Sequence, residues 1–207
     1  MLVKAFTNLR TIAAKSDCSF YVTSPQGGEI GLMMMMMMRD AGLPVRHNLI
    51  WVKNTACFSL GRLDYDYKHE PVFYTWTKNH HFYGNYSTTV IDVSKEAGID
   101  KMSRAELKEL LRAYIEEKPE SVVYCDKPSK SELHPTMKPI RLISRFIINS
   151  SQEGENVVDI FGGSGSTMMA CEQLKRKCFT MEIDPHYADV IIERWEAFTG
   201  QKAKKIS

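Results

Sequence analysis

Between Asn156 and Asp184 the chain reads as strand, glycine turn, helix, strand and acidic turn, and few folds accommodate that order. Val157, Val158 and Ile160 form a short apolar run of the kind that a buried parallel strand requires. Asp159 interrupts the run near its end, and Gly162, Gly163 and Gly165 follow with almost no side-chain bulk. Ser164, Ser166 and Thr167 supply hydroxyls suited to capping a helix from Thr167 to Lys175. A second strand is expected over Cys178 to Ile183, carrying Glu182 and leading into Asp184. Glycines let backbone approach a ligand, and a helix start offers N–H groups to an anion. An acid after the next strand can accept ribose hydroxyls, and Glu182 stands 23 residues beyond Asp159. A tight strand–helix turn with no ligand fits the glycines equally well. The placement of the acid weighs toward a nucleotide-type cofactor.

The rest of the chain predicts alternating helices and strands around that stretch. Helices are expected over 2–14 and 29–41, the second holding the run Met33 to Met38. Methionine forms helix readily and packs adaptably, so the run reads as core and helix surface. Strands are expected over Cys18–Thr23, Leu49–Val52 and Pro71–Trp76. Pro139 opens a helix whose apolar stripe is Ile140, Ile143, Phe146 and Ile147, and the last helix runs from Tyr187 to Phe198. Residues 94–133 differ in character. Ser103 and Glu106 form a capping box, Leu107, Leu110, Leu111 and Tyr114 follow helical spacing, and both signs of charge are near balance. The span is expected to be a small helical insertion with a solvated face.

A chain of 207 residues with 43% hydrophobic and 25% charged residues suits one globular domain with an insertion. A formal net charge of +2 neither demands nor excludes nucleic acid. The start of the chain lacks a signal peptide pattern, and no apolar run approaches the length of a membrane span. Five cysteines without a CxxC pair point to a reducing cytoplasm with neither a disulfide framework nor a metal site.

Three motifs together carry a resemblance. They are His134-Pro135-Thr136-Met137-Lys138-Pro139, then Asp159 through Thr167, then Glu182-Ile183-Asp184-Pro185. In this combination the chain resembles the S-adenosylmethionine-dependent DNA amino-methyltransferases that act on the exocyclic amine of adenine or cytosine. It is closest in motif order to the permuted group, where the catalytic motif precedes the cofactor motif. Such enzymes occur in phages, prophages and restriction–modification systems. Ile50 to Asn54, the loop from Gly61 to Tyr67 and His69-Glu70-Pro71 are similar to the same group, so the likeness covers nearly the whole chain outside 94–133. A Rossmann dehydrogenase fits less well, because Gly162-Gly163-Ser164-Gly165 breaks the GxGxxG spacing.

The resemblance implies S-adenosylmethionine as cofactor and double-stranded DNA as partner. Asp159, Phe161, Gly162, Gly163, Ser164, Gly165, Ser166 and Thr167 match the turn that wraps the methionine portion. Glu182, with Asp184 after it, matches the acid on the ribose hydroxyls. His134, Pro135, Thr136 and Lys138 match the segment that closes over the cofactor. Residues 94–133 stand where the group places its target-recognition region. Lys53, Asn54, Arg62, Tyr65, Tyr67, His69, His80 and His81 are the expected DNA contacts, the aromatic ones suited to stacking on bases.

One part of the family pattern is absent. Its chemistry uses an Asp/Asn/Ser-Pro-Pro-Tyr/Phe motif to receive the target amine and stack on the flipped base. The 207 residues contain no Pro-Pro pair, and Ser24-Pro25-Gln26-Gly27 lacks both the second proline and the aromatic ring. No catalytic residue is assigned. The expected fold is therefore a Rossmann-like α/β methyltransferase fold, truncated at its N-terminus and lacking a central strand, with a small helical insertion. The motif would then reside on a preceding segment or a partner chain. The alternative is an inactive remnant that binds cofactor or DNA.

Overall fold

The computed structural model describes residues 1–13, 17–26, 28–53, 67–84, 122–125 and 137–206. They fall into two compact units, Met1–Cys125 and Asp126–Ser207.

In the first unit, α1 (Leu2–Ala13) leads to β1 (Ser19–Thr23), α2 (Gly28–Asp40), β2 (His47–Val52), β3 (His69–Trp76) and β4 (Val122–Tyr124). The sheet order is β1-β3-β2-β4. β3 runs antiparallel to both β1 and β2, and β4 runs parallel to β2, so β1, β2 and β4 share one direction. Alternation divides β3 cleanly. Phe73 faces the helices, where Phe20 of β1, Phe6 of α1, Met38 of α2 and Ala41 and Leu43 beyond it form one buried cluster. Tyr74 and Trp76 turn to the opposite face, where Tyr74 stacks on Tyr21 with ring centres 4.6 Å apart. The methionine run behaves as its helical phase requires: Met38 is fully buried, Met34 and Met35 pack at the core edge, and Met33 and Met36 are exposed.

β4 corrects the all-helical expectation for 94–133. Val122, Val123 and Tyr124 are β-branched or aromatic and pair with Ile50, Trp51 and Val52. The charged residues around them concealed a three-residue strand from a reading by charge and helical spacing. The capping box at Ser103 lies outside the described residues.

In the second unit, α3 (Ile140–Ser150) precedes β5 (Asn156–Asp159), α4 (Ser166–Leu174), β6 (Lys177–Thr180) and α5 (Pro185–Thr199). β5 and β6 pair in parallel, Val157 opposite Cys178 and Val158 opposite Phe179. Val157 and Cys178 pack against Ile147 of α3 and Ala170 and Cys171 of α4. Val158 and Phe179, on the other face, are 47% and 55% exposed. Among the described residues β5 pairs with β6 alone. The second strand is shorter than expected, ending at Thr180. Backbone pairing continues one step further as the Met181 amide donates to the Asp159 carbonyl at 2.8 Å.

Cys171 and Cys178 sit together beneath this sheet. The hydrogen bond from the Cys171 thiol to Cys178, together with burial, pushes the Cys171 thiol well above the ordinary thiol range. Among the described residues, Cys18, Cys125, Cys171 and Cys178 are free thiols.

Candidate cofactor site

β5 ends at Asp159, and the chain then makes a turn held by several backbone hydrogen bonds. Asp159 Oδ1 accepts the Phe161 amide at 3.0 Å. The Gly162 amide donates to the Met181 carbonyl at 2.9 Å, and the Gly165 amide returns to the Gly162 carbonyl at 2.8 Å. Gly163 has φ +53° and Gly165 φ +80°, a region that suits glycine. A Cβ on Gly162 would stand 2.6 Å from Thr180 Oγ1 and 2.9 Å from Ile191 Cδ1. This glycine is therefore demanded by the packing of β6 and α5 beneath the turn, a reason not visible in the motif alone.

The turn meets its acid directly. Glu182 Oε2 accepts the Gly163 amide at 2.6 Å, and Oε1 accepts the Asp184 amide at 3.0 Å. Parallel pairing brings the ends of β5 and β6 side by side, which is why residues 19 apart in sequence touch here. Asp184 is the N-cap of α5, its Oδ1 accepting the His186 amide at 2.9 Å.

The hydroxyls at the turn do not act as helix caps. The N-cap of α4 is Gly165, left-handed and without a side-chain cap bond. Ser166 instead donates to the Lys138 carbonyl at 2.7 Å and lies 3.5 Å, hydroxyl to hydroxyl, from Ser164. The substitution of roles has a consequence. The end of the His134–Pro139 segment is tied to the start of α4, so two predicted cofactor elements are brought together. His134, Pro135 and Thr136 lie outside the described residues. The Met169 amide is bonded to the Gly165 carbonyl at 3.0 Å, so the amides of Ser166 and Thr167 precede the first i→i−4 bond of the helix. Phe161 is exposed beside the turn.

These residues suit a nucleoside cofactor with a charged amino-acid end. A carboxylate bonded to the glycine turn at 2.6 Å and a helix start able to meet an anion at the end of that turn are the groups such a cofactor needs. Among the described residues no cluster of three or more His, Cys, Asp or Glu is placed to hold a metal ion. Nor is any helix among them long and apolar enough to cross a membrane.

The structure divides the expected DNA contacts. The shared direction of β1, β2 and β4 puts Ser24, Lys53, Cys125 and the start of β3 at one edge of the sheet. Tyr67 and His69 are exposed there, ring edge to ring face at 6.2 Å. Lys53 is not a surface lysine. It is 3% exposed, its Nζ lies 2.6 Å from Glu70 Oε1, and it stands over the Trp51 ring. Trp51 is itself buried, with its indole N–H on the Cys125 carbonyl at 2.7 Å. A lysine so enclosed does not meet a phosphate, and its expected role is corrected to that of a buried ion pair.

His80 and His81 lie at the other edge, where β3 ends. His80 stacks on Trp76 with ring centres 4.0 Å apart, and Arg46 covers the same indole at 4.5 Å. Burial, then the Arg46 charge, lowers the His80 pKa below the ordinary histidine value. At ~3.3 Å per strand residue, β3 separates the two histidines from His69 by about 20 Å. Asn54, Arg62 and Tyr65 lie outside the described residues.

The chain is similar to known proteins in sequence and in fold. A family whose sequence model is described as DNA methylase, N6_N4_Mtase, matches residues 2–193. The type II methyltransferase M2.DpnII of Streptococcus pneumoniae is 26% identical over 165 residues, covering 78% of this chain and 55% of that protein. The crystal structure of the M1.HpyAVI–SAM complex superposes with a TM-score of 0.64 at 17% identity, over 93% of this chain and 81% of that one. The PvuII DNA methyltransferase, described as cytosine-N4-specific, gives 0.64 at 14% identity over 99% and 72%. At these identities the structural likeness is one of fold. The chain spans about half the length, or less, of the curated relatives it matches.

Proposed function

The chain belongs to the N6/N4 DNA methylase family, and on that premise we propose that it supplies the S-adenosylmethionine-binding half of a DNA adenine amino-methyltransferase. The observation that carries the reading is the convergence of the glycine turn and Glu182, with 2.6 Å between the Gly163 amide and the carboxylate. Glu182 is assigned to the ribose hydroxyls. Asp159 and the start of α4 are assigned to the charged amino-acid end, the carboxylate to the ammonium and the helix amides to the carboxyl group. Lys138 holds the covering segment in place through Ser166.

When bound, the cofactor supplies an electrophilic methyl group on sulfonium. The acceptor would be the exocyclic amine of a base extruded from the duplex. Tyr67 and His69, at the sheet edge where the parallel strands end, are the DNA contacts we retain among the described residues. Adenine is favoured by the motif resemblance. The likeness in fold to the cytosine-N4-specific PvuII enzyme keeps cytosine as the second reading.

The group that receives the amine is assigned to polypeptide outside these 207 residues. Three observations support this: the absence of a Pro-Pro pair, a β5 that pairs with β6 alone among the described residues, and the exposure of Val158 and Phe179. An additional strand beside β5, leading into a helix with an apolar face, would meet both needs. We place this activity in the cytoplasm, within restriction–modification or phage biology.

The chain alone is expected to transfer no tritiated methyl group from labelled cofactor to DNA, while still binding the cofactor in calorimetry. Transfer without an added polypeptide overturns the assignment of the missing group. Asp159→Ala is expected to weaken cofactor binding at least hundredfold, or about 2.8 kcal/mol at 1.4 kcal/mol per tenfold. Unchanged affinity overturns the site.

A further inference from the structure

Two residues of α5, one helical turn apart, grip the glycine turn. Ile191 is buried, and its side chain lies 2.9 Å from where a Cβ on Gly162 would stand and 3.2 Å from one on Gly165. Arg194, three residues on and on the same face, donates from its Nη1 to the Ser164 carbonyl. The guanidinium is half-buried, and burial lowers its pKa from the ordinary arginine value. An arginine nonetheless stays charged in proteins, so the bond is a charge-assisted one.

That carbonyl belongs to the peptide linking Ser164 to Gly165. The peptide is planar, so fixing its two ends fixes its orientation. Its N–H end is held by the Gly162 carbonyl at 2.8 Å, and its C=O end by Arg194. Gly165 then stands in its left-handed conformation and α4 begins at the next residue. The direction of the opening amides of Ser166 and Thr167 follows from that plane. The other partly buried arginine of this unit differs in purpose: Arg176 donates to the Leu174 and Ser151 carbonyls and ties the start of β6 to the end of α3. Arg194 alone of the two reaches the cofactor turn.

We propose that Arg194 is a positioning residue for cofactor binding: by holding the Ser164 carbonyl it aims the start of α4 at the amino-acid end of the ligand. It touches no ligand atom and acts through the backbone. The inference rests on the reading of this turn as the cofactor site, and it predicts an effect that depends on which part of the ligand is present. S-adenosylhomocysteine carries the amino-acid end. Methylthioadenosine has the same adenosyl thioether without it.

Calorimetric titration of both ligands into wild type, Arg194→Met and Arg194→Lys separates the cases. Arg194→Met is expected to weaken S-adenosylhomocysteine about tenfold or more while moving methylthioadenosine less than about twofold, with Arg194→Lys between wild type and Met for the first ligand only. A tenfold change corresponds to about 1.4 kcal/mol. If Arg194→Met does not fold, judged by its thermal melt, Arg194→Lys carries the test by the same selective loss. Equal weakening of both ligands, or weakening of neither, overturns the positioning role while leaving the site in place. A folded wild-type chain that binds neither ligand overturns the cofactor reading, and this inference with it.

Discussion

The two units solve the same problem differently, since each has a sheet with two faces to cover. In Met1–Cys125 one face is sealed by α1 and α2 through Phe73, Phe20 and Met38. The other carries Tyr21, Tyr74, Trp76 and His47, which stack on one another and on His80. Rings with polar tips shield each other and still meet water. In Asp126–Ser207 one face is sealed by α3 and α4, but the other presents Val158 and Phe179, with Met181 and Ile183 exposed beyond. Those side chains have no polar tip. A parallel sheet is ordinarily covered on both faces, and on the reading proposed above it is further polypeptide that covers this one. The first unit lines its second face with rings, whereas the second pairs a closely bonded glycine turn with a sheet that keeps one apolar face exposed among the described residues.

That contrast can be broken by substitution. The largest effect is expected at the sealed face: Phe73→Ala should cost about 3–5 kcal/mol in urea unfolding, because it leaves a cavity among Phe6, Phe20, Met38 and Leu43. A loss below about 1 kcal/mol would mean that this core is not closed. Next comes the buried pair. Lys53→Ala should cost about 3 kcal/mol by removing the cation 2.6 Å from the Glu70 carboxylate, whereas Lys53→Met with Glu70→Leu together should cost far less. If the single change has little effect on the melt, Lys53 is reaching solvent after all. The smallest effect is expected at the bare face, where Phe179→Ser should alter stability by less than about 0.5 kcal/mol in the chain alone. A large loss there would show that the face is already covered, and would erase the difference between the units.

Local patterning made most of the elements legible. The strand at Val157-Val158, the glycine turn and the apolar spacing of α3 and α5 each specify their structure over a few residues. The methionine run was read correctly as part core and part surface, because helical phase alone decides which residues turn inward. β4 was not legible, since three residues inside a charged span carry too short a pattern to outweigh their neighbours.

At the site, the sequence by itself determined the chemistry available: an acid after each of two strands, glycines between them and a hydroxyl-rich helix start. Their order and spacing are properties of the chain, and the family resemblance rested on them. Tertiary structure decided what each group does. Parallel pairing brought Glu182 to the Gly163 amide, Ser166 spent its hydroxyl on Lys138, and Gly162 proved to be required by Thr180 and Ile191. Lys53 passed from an expected DNA contact to a buried partner of Glu70, and Arg194 reaches from α5 to the Ser164 carbonyl. The physical reason is common to these cases. A side chain's identity fixes which bonds it can make, but its burial and its partners across the sheet fix which of them it does make.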